Sequence, residues 1–363
     1  MKIDELDTPV LLIDLDAMTR NLARMAELAA GCGMAYRPHA KAHKSPDIAR
    51  LQIEHGAAGI CCAKLGEAEV MAAAGIPDIL ITSPVIGVSK LMRLTAVAGR
   101  ARIAVVADNA ENLEEMAMCA QTSGVRLDVV IELDVGQGRC GVPPGEAALA
   151  LARQVQAADW LALRGLQGYQ GRIQQMPGFD DRAEGARAAM AKLTATAALI
   201  REAGIPVDLL TGGGTGTSVI DAADRGLTEI QPGGYLFMDA RYGAIEWRDG
   251  GRVPFEQSLS VLASVISLPA PGRCILDMGL KSVSSDQGPP VPVGLDGATF
   301  SFGGEEHGQL VWENGACPLA LGDKARFTPT HCDTTVNLHD RFIGLRGDEV
   351  DSVIDIAARG RSQ

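Results

Sequence analysis

The sequence predicts an α/β protein built as a (β/α)8 barrel, a TIM barrel, followed by a smaller β-rich C-terminal domain. Three observations carry this. Short β-branched or apolar runs alternate with longer amphipathic stretches between residues 35 and 231, the periodicity of parallel strands joined by crossover helices. Eight such repeats fit in that span, the number that closes a barrel, with a doubly wound open sheet as the alternative. Beyond Tyr242 the texture changes to short strand-like runs broken by Gly, Pro and Asp. The division is placed at residues 1–245 and 246–363.

The opening run Pro9-Val10-Leu11-Leu12-Ile13-Asp14 reads as a strand and leads into a helix over 16–30; residues 1–15 are compatible with pairing in either domain. Barrel strands are expected at 35–37, 59–62, 79–82, 101–106, 127–133, 161–165, 207–210 and 229–231. Helix starts are marked by Ser45-Pro46, by Asp108 before 109–122, and by Pro143 before a run to 157. The longest helix spans 181–203, with Gly204 as its stop. In the second domain the strand-like runs are 255–268, 273–277, 309–312, 325–327, 334–338 and 350–356.

Composition removes several classes of function. The chain has 363 residues, 47% hydrophobic, and 33 Lys+Arg against 45 Asp+Glu leave a net charge of −12, which disfavours nucleic acid and anionic membranes. No uninterrupted apolar stretch reaches membrane-spanning length, and the first residues include Lys2, Asp4, Glu5 and Asp7 rather than a basic and then apolar leader. The expectation is a soluble, cytoplasmic protein. Eight cysteines lack any CxxC spacing and several lie in apolar runs, so reduced and mostly buried thiols are expected.

In a barrel, chemistry gathers on the loops after the strands' C-terminal ends. Polar, Gly-rich segments fall there: 37–46, 134–141, 167–171, 211–217 and 231–235. The last two follow the seventh and eighth strands, where barrels commonly cradle a phosphate on glycine backbone N–H groups. Lys41 follows the first strand beside Ala40 and among His39, His43 and Lys44. Crowded, partly desolvated ammonium groups lose a proton more readily, which Schiff-base formation requires. A lysine nucleophile facing a phosphate site points to a phosphorylated aldehyde cofactor, pyridoxal 5′-phosphate.

Lys41 within Arg37-Pro38-His39-Ala40-Lys41-Ala42-His43-Lys44, the Gly138-Arg139-Cys140-Gly141 loop, Tyr169, the 212–216 loop and Thr330-His331-Cys332-Asp333-Thr334-Thr335-Val336-Asn337 resemble the metal-activated members of the alanine racemase-like fold. These are the D-threonine aldolases, D-3-hydroxyaspartate aldolases and eukaryotic-type D-serine dehydratases. The resemblance runs over about residues 8–358. It implies that Lys41 carries pyridoxal phosphate covalently and that Arg139 and Tyr169 contact its ring, the phenolic oxygen and ring nitrogen not being assigned between them. It implies phosphate contacts from Thr211, Gly213, Gly214 and Thr215 with Gly233, Gly234 and Tyr235.

His331 and Asp333 stand two apart, so in an extended segment both emerge on one face while Cys332 points away. Imidazole with carboxylate suits a borderline-to-hard divalent ion completed by water, whereas imidazole with thiolate suits zinc. The dehydratases resemble His-x-Cys and the aldolases His-x-Asp, the pattern here. The implied ion is manganese, with magnesium or cobalt next. His307, Glu305, Glu306 and residues 277–281 match family segments near the cofactor mouth but also read as strand-end turns; His55 and His339 read as structural.

The implied reaction is retro-aldol cleavage of a β-hydroxy-D-amino acid, with His43 or a metal-bound hydroxide taking the hydroxyl proton and Lys41 releasing glycine. D-threonine yields acetaldehyde and D-3-hydroxyaspartate yields glyoxylate; dehydration of D-serine type follows them as an alternative. Two other classes are a non-catalytic pyridoxal phosphate homeostasis protein, resembling a shorter bare barrel, and a sugar-phosphate barrel enzyme. The resemblance also implies a homodimer.

Overall fold

The computed structural model describes residues 1–248, 251, 253–313, 315 and 317–363. The chain forms two compact units. One comprises Met1–Arg24, Ala42–Asp47 and Gly234–Gly360, the other Met25–Lys41, Ile48–Gly233 and Arg361–Gln363. Among the described residues no helix is long and apolar enough to cross a membrane. No disulfide joins the eight cysteines, five of which are buried.

Strand β1 (Val10–Asp14) and helix α1 (Leu15–Cys32) open the chain. Eight strands then alternate with helices: β2 (Ala35–Tyr36), β3 (Ile60–Cys62), β4 (Asp78–Ile81), β5 (Arg102–Ala107), β6 (Leu127–Glu132), β7 (Leu161–Gly168), β8 (Leu209–Gly212) and β9 (Glu229–Ile230). The connecting helices are α2 (Pro46–Glu54), α3 (Leu65–Ala73), α4 (Val88–Ala98), α5 (Ala110–Ser123), α6 (Glu146–Ala157), α7 (Phe179–Glu202) and α8 (Ser218–Asp224). Each expected barrel strand is present.

The eight strands form one parallel sheet in the order β2-β9-β8-β7-β6-β5-β4-β3. Its edges meet where His39 bridges Cys61, and where Cys61 N donates to Pro38 O at 2.8 Å and Ala58 N to Tyr36 O at 2.9 Å. The sheet is therefore closed into a barrel. β3 is wholly buried and β5 is buried apart from its first residue, as parallel strands covered by helices require. Cys61, Leu80, Ala104, Val106 and Val130 pack together as one cluster of this barrel's core.

Local chemistry explains the helix ends. Asn109, one residue after the expected Asp108, caps α5 by accepting Asn112 N at 3.0 Å, and Gly124 closes that helix in the left-handed region at φ 65°. Gly204 follows α7 at φ 80°.

The other unit holds α9 (Ala240–Ala244), strands β10 (Leu259–Ala270), β11 (Arg273–Leu276), β12 (Val291–Pro292), β13 (Ala298–Phe302), β14 (Gly308–Trp312) and β15 (Lys324–Thr328), helix α10 (Cys332–Val336), and strands β16 (Arg341–Arg346) and β17 (Glu349–Asp355). Its sheet runs β13-β14-β11-β10-β1-β16-β17, with β15 pairing β10 and β12. Strand β1 lies antiparallel to β10 and parallel to β16, so the opening run belongs to this sheet. Leu12, Leu262, Ile343 and Leu345 bury one face there with Leu6.

Two expectations change. The run 334–338 is not a strand: residues 332–336 are helical, because His331 is extended (φ −142°, ψ 117°) and the Thr335 hydroxyl returns to the His331 carbonyl at 2.9 Å. β-Branched residues there satisfy backbone groups locally rather than in a ladder. Strands β12, β13 and β16 were not expected.

Candidate active site

Strand ends of the barrel bring two of the expected residues to the ring of a third. Lys41 lies in a single 3-10 turn (Ala40–Ala42) beyond β2, with its Nζ 6.0 Å from the centroid of the Tyr169 ring. The Arg139 guanidinium lies 5.7 Å from the same ring. Tyr169 directly follows β7 and is half-buried. His39 supports the lysine turn: its Nδ1 accepts Lys41 N at 3.3 Å and its Nε2 meets Thr82 Oγ1 at 3.0 Å.

Arg139 sits on a closed loop. Val142 N donates to Glu132 O at 2.9 Å and Asp134 N to Val142 O at 3.0 Å, forming the neck. Within the loop the Asp134 carboxylate accepts Gly136 N (3.0 Å) and Gly138 N (2.9 Å), bonds that hold its pKa below the usual range, and Asp108 accepts Gly141 N at 2.8 Å. Gly141 is obligatory: at φ 104° a Cβ would sit 2.5 Å from Asp134 N.

A chain of buried polar groups crosses the barrel interior. Gln167 stands in register with Glu132, Gln231 Nε2 donates to Gln167 Oε1 (2.9 Å) and Thr211 Oγ1 (3.0 Å), and Thr211 donates to Glu229 Oε1 at 3.1 Å. Glu229 in turn accepts from Arg37 Nε at 3.1 Å, and Arg37 also pairs with Asp78 at 2.7 Å. The Thr211 hydroxyl is thus engaged within the barrel.

The glycine run after β8 is packed against two side chains. Gln174 Oε1 accepts Gly216 N (3.0 Å) and Thr217 N (3.3 Å), and a Cβ on Gly214 would sit 2.6 Å from that oxygen. Thr217 Oγ1 accepts Gly214 N (3.1 Å) and donates to the fully buried Asp221 at 2.7 Å. Gly213, at φ 60°, leaves no room for a Cβ beside that carboxylate. Burial pushes the Asp221 carboxyl up to about 7 against the lowering effect of Thr217. Thr215 is buried, its carbonyl accepting the Ser218 hydroxyl at 2.8 Å, and Gly233 is half-buried.

The remaining expected residues lie in the other unit. Gly234 and Tyr235 form a 3-10 turn (Gly234–Leu236), Tyr235 fully buried and edge-on to Phe255 at 5.6 Å. His43 is fully buried and its Nδ1 accepts Ser45 N at 3.1 Å. Its proton therefore resides on Nε2, and service as a base requires the Ser45 bond to open.

His331 caps the start of α10, with Asp333 in the first turn of that helix. Asp286 accepts from His331 Nδ1 at 2.6 Å, and its other oxygen takes the Ser284 (2.7 Å) and Thr334 (2.9 Å) hydroxyls. Although partial burial opposes it, these bonds and the imidazole hold the Asp286 carboxyl below its usual range. A carboxylate at Nδ1 leaves the ring's lone pair on Nε2, the arrangement of a metal-ligating histidine. Cys332 points into the core, with Sγ 3.5 Å from Met238 O, and burial raises its thiol well above the usual value. The extended geometry expected for His331-x-Asp333 is replaced by a helix start, while the cysteine is still turned away. Among the described residues there is no group of three or more His, Cys, Asp or Glu that could hold a metal ion. His307 is exposed, and Asp277 is a structural anchor accepting Thr8 Oγ1 (2.5 Å) and Ser264 N (2.8 Å).

Glu132, Gln174, Asp221 and Asp286 escaped the sequence reading. Only Glu132 left a signal, a carboxylate ending the apolar run Val129-Val130-Ile131.

A closed parallel barrel bearing a lysine beyond its first strand, with a β-rich companion unit that includes the chain's first strand, defines the alanine racemase-like class. Residues 13–241 match the family model of the alanine racemase N-terminal domain and residues 258–345 that of a serine dehydratase domain. The chain belongs to the alanine racemase N-terminal domain family. It is 45% identical to a D-threonine aldolase of Arthrobacter sp, covering 98% of this chain and 94% of that protein. It is 37% identical to a 3-hydroxy-D-aspartate aldolase of Paracoccus denitrificans over 99% of this chain and 94% of the relative. The crystal structure of a D-threonine aldolase from Filomicrobium marinum superposes with TM-score 0.95 at 39% identity, covering 99% of this chain and 98% of that one.

Proposed function

We propose that this protein is a pyridoxal phosphate- and divalent metal-dependent lyase that cleaves β-hydroxy-D-amino acids to glycine and an aldehyde, with D-threonine as substrate and D-3-hydroxyaspartate as the alternative. The observation that carries the reading is the convergence of the Lys41 amine and the Arg139 guanidinium on the Tyr169 ring at the barrel's strand ends. The near full-length likeness to two named aldolases supports it.

The donor set fits the cofactor. A primary amine, an aromatic ring and a guanidinium meet where a flat electrophilic ring needs an anchor, a stacking face and a hydrogen-bond donor. Lys41 would hold the aldehyde carbon, Arg139 and Tyr169 the ring, and the 211–215 segment with Gly233, Gly234 and Tyr235 the phosphate. When bound, pyridoxal phosphate supplies an electron sink that weakens the bonds to the substrate's Cα. His331 and Asp333 would hold the divalent ion, which lowers the pKa of a β-hydroxyl. Asp286 fixes the imidazole tautomer for that task. His43 is the proton acceptor the chain offers, once its Nδ1 releases Ser45 N. Manganese is the proposed ion, magnesium or cobalt the alternatives. The barrel unit carries Lys41, Arg139 and Tyr169 and the β-rich unit His331 and Asp333, in a cytoplasmic homodimer.

The test is a panel of β-hydroxy D- and L-amino acids incubated with the purified protein, pyridoxal phosphate and Mn2+, with and without chelator. Acetaldehyde and glycine from D-threonine, abolished by chelation, are expected. Ammonia and 2-oxobutanoate instead would overturn the assignment in favour of dehydration. Bound cofactor without turnover of any substrate indicates a homeostasis protein, and a protein that never takes up pyridoxal phosphate indicates a sugar-phosphate enzyme. Lys41→Ala is expected to lose the visible absorbance of the bound cofactor.

A further inference from the structure

We propose that Glu132 is a positioning residue for Arg139, a buried carboxylate that sets where the guanidinium stands over the Tyr169 ring and hence how tightly the cofactor ring is held. The inference rests on the cofactor reading above and adds to it a residue that touches neither cofactor nor substrate.

Glu132 ends strand β6 with its side chain only 4% exposed, behind the apolar residues Val129, Val130 and Ile131. A carboxylate in such a place carries a desolvation cost that its partners must offset. Gln167, its register partner on β7, lowers its proton affinity, and Arg139 Nη2 stands 3.8 Å from Oε1. The other oxygen, Oε2, has no hydrogen-bond partner among the described residues. Burial dominates and raises the proton affinity of the group to about 7, Asp108 and Asp134 add to it, and Arg139 is the cation that opposes it. The buried acceptor that lacks a partner therefore lies next to one planar donor fork able to satisfy both carboxylate oxygens together.

Loop geometry makes that pairing consequential. The 134–141 segment is tied at its neck by two backbone bonds and internally by Asp134 and Asp108. Its backbone is held, so the Arg139 side chain, half exposed, is the member left to be oriented. Its guanidinium lies 5.7 Å from the Tyr169 ring centroid and its Nη2 3.8 Å from the Glu132 carboxylate. Removing the carboxylate leaves the guanidinium charged but undirected. Because the contact is long, at 3.8 Å, and its arginine end is half in solvent, the effect is expected on cofactor binding rather than on folding.

The experiment is a double-mutant cycle on cofactor binding. Apo-protein of the wild type, E132Q, R139A and E132Q/R139A is titrated with pyridoxal phosphate, following protein fluorescence and the absorption band of the bound cofactor. E132Q is expected to weaken binding about tenfold and shift the band, R139A to do at least as much, and the double variant to match R139A. Wild-type affinity and spectrum in E132Q would overturn the proposal, as would losses that multiply in the double variant, since Glu132 would then act without Arg139. E132D, which keeps the charge at shorter reach, is expected to recover part of the affinity. If E132Q does not fold, E132D must lose affinity in the wild-type background and none in the R139A background. Failure of the wild type to bind pyridoxal phosphate at all refutes the reading of Lys41 instead.

Discussion

Asp221→Asn tests whether a neutral carboxylic acid lies beneath the glycine loop. The group is completely buried, and its proton affinity rises from an ordinary 3.8 to about 7, chiefly through desolvation, against the Thr217 hydrogen bond and with the Asp224 charge adding to it. Between those values the folded protein keeps a proton that the unfolded chain releases. The carboxyl's contribution is thus fully present below about pH 4 and is lost as pH rises through about 7. Each pH unit in that window is worth about 1.4 kcal/mol, so the total is about 4 kcal/mol, of which about 3 falls between pH 5 and 8. With about 2.1 cal/mol/K of unfolding entropy per residue, that is about 3 to 4 °C for this chain. Asparagine does not titrate. Thermal unfolding of wild type and variant at pH 5, 6, 7 and 8 should show the Tm difference moving in the variant's favour by that amount, while contributions from Glu132 and Asp239 cancel. A difference that stays constant across the range would show that Asp221 is already ionised in the folded protein and that the loop rests on a charge.

Asp286→Asn is expected to lower Mn2+ affinity about 10- to 100-fold, read from the free-ion paramagnetic resonance signal in a titration; an unchanged affinity would remove Asp286 from the support of His331. Gly216→Ala places a Cβ against the Gln174 backbone carbonyl, which cannot swing aside, so a loss of more than about 2 kcal/mol in denaturant unfolding is predicted, and a neutral result would mean the two loops are not packed as described. Gly31, exposed in α1 with nothing near its missing Cβ, is the opposite case: alanine there should stabilise by about 0.5–1 kcal/mol in the same assay.

Covalent order alone was enough for the barrel and for the approach of Lys41 to its mouth. Strand β3 is buried throughout and β5 almost so, and α7 runs with a glycine stop, so the alternation of periods two and 3.6 is written in neighbouring residues. The lysine's place beyond β2 follows from that alternation, because parallel strands joined by crossovers all end on one side. The aromatic ring that meets Lys41 and Arg139 was likewise marked by position, directly after β7.

Other features depend on residues distant in the chain, and there local reading runs out. The β1 run is apolar enough for either sheet; its pairing with β10 and β16 is decided by partners some 250 and 330 residues away. Thr334 and Thr335 have strand propensity, yet an extended His331 held by Asp286 starts a helix instead. The glycines at 213, 214 and 216 announce a tight loop, but their need for it comes from Gln174 and Asp221, whose side chains occupy the space a Cβ would take. Proton affinities follow the same division: composition supplies the carboxyl, and only the packed surroundings, by withholding water from Glu132 and Asp221, raise the pH at which each gives up its proton.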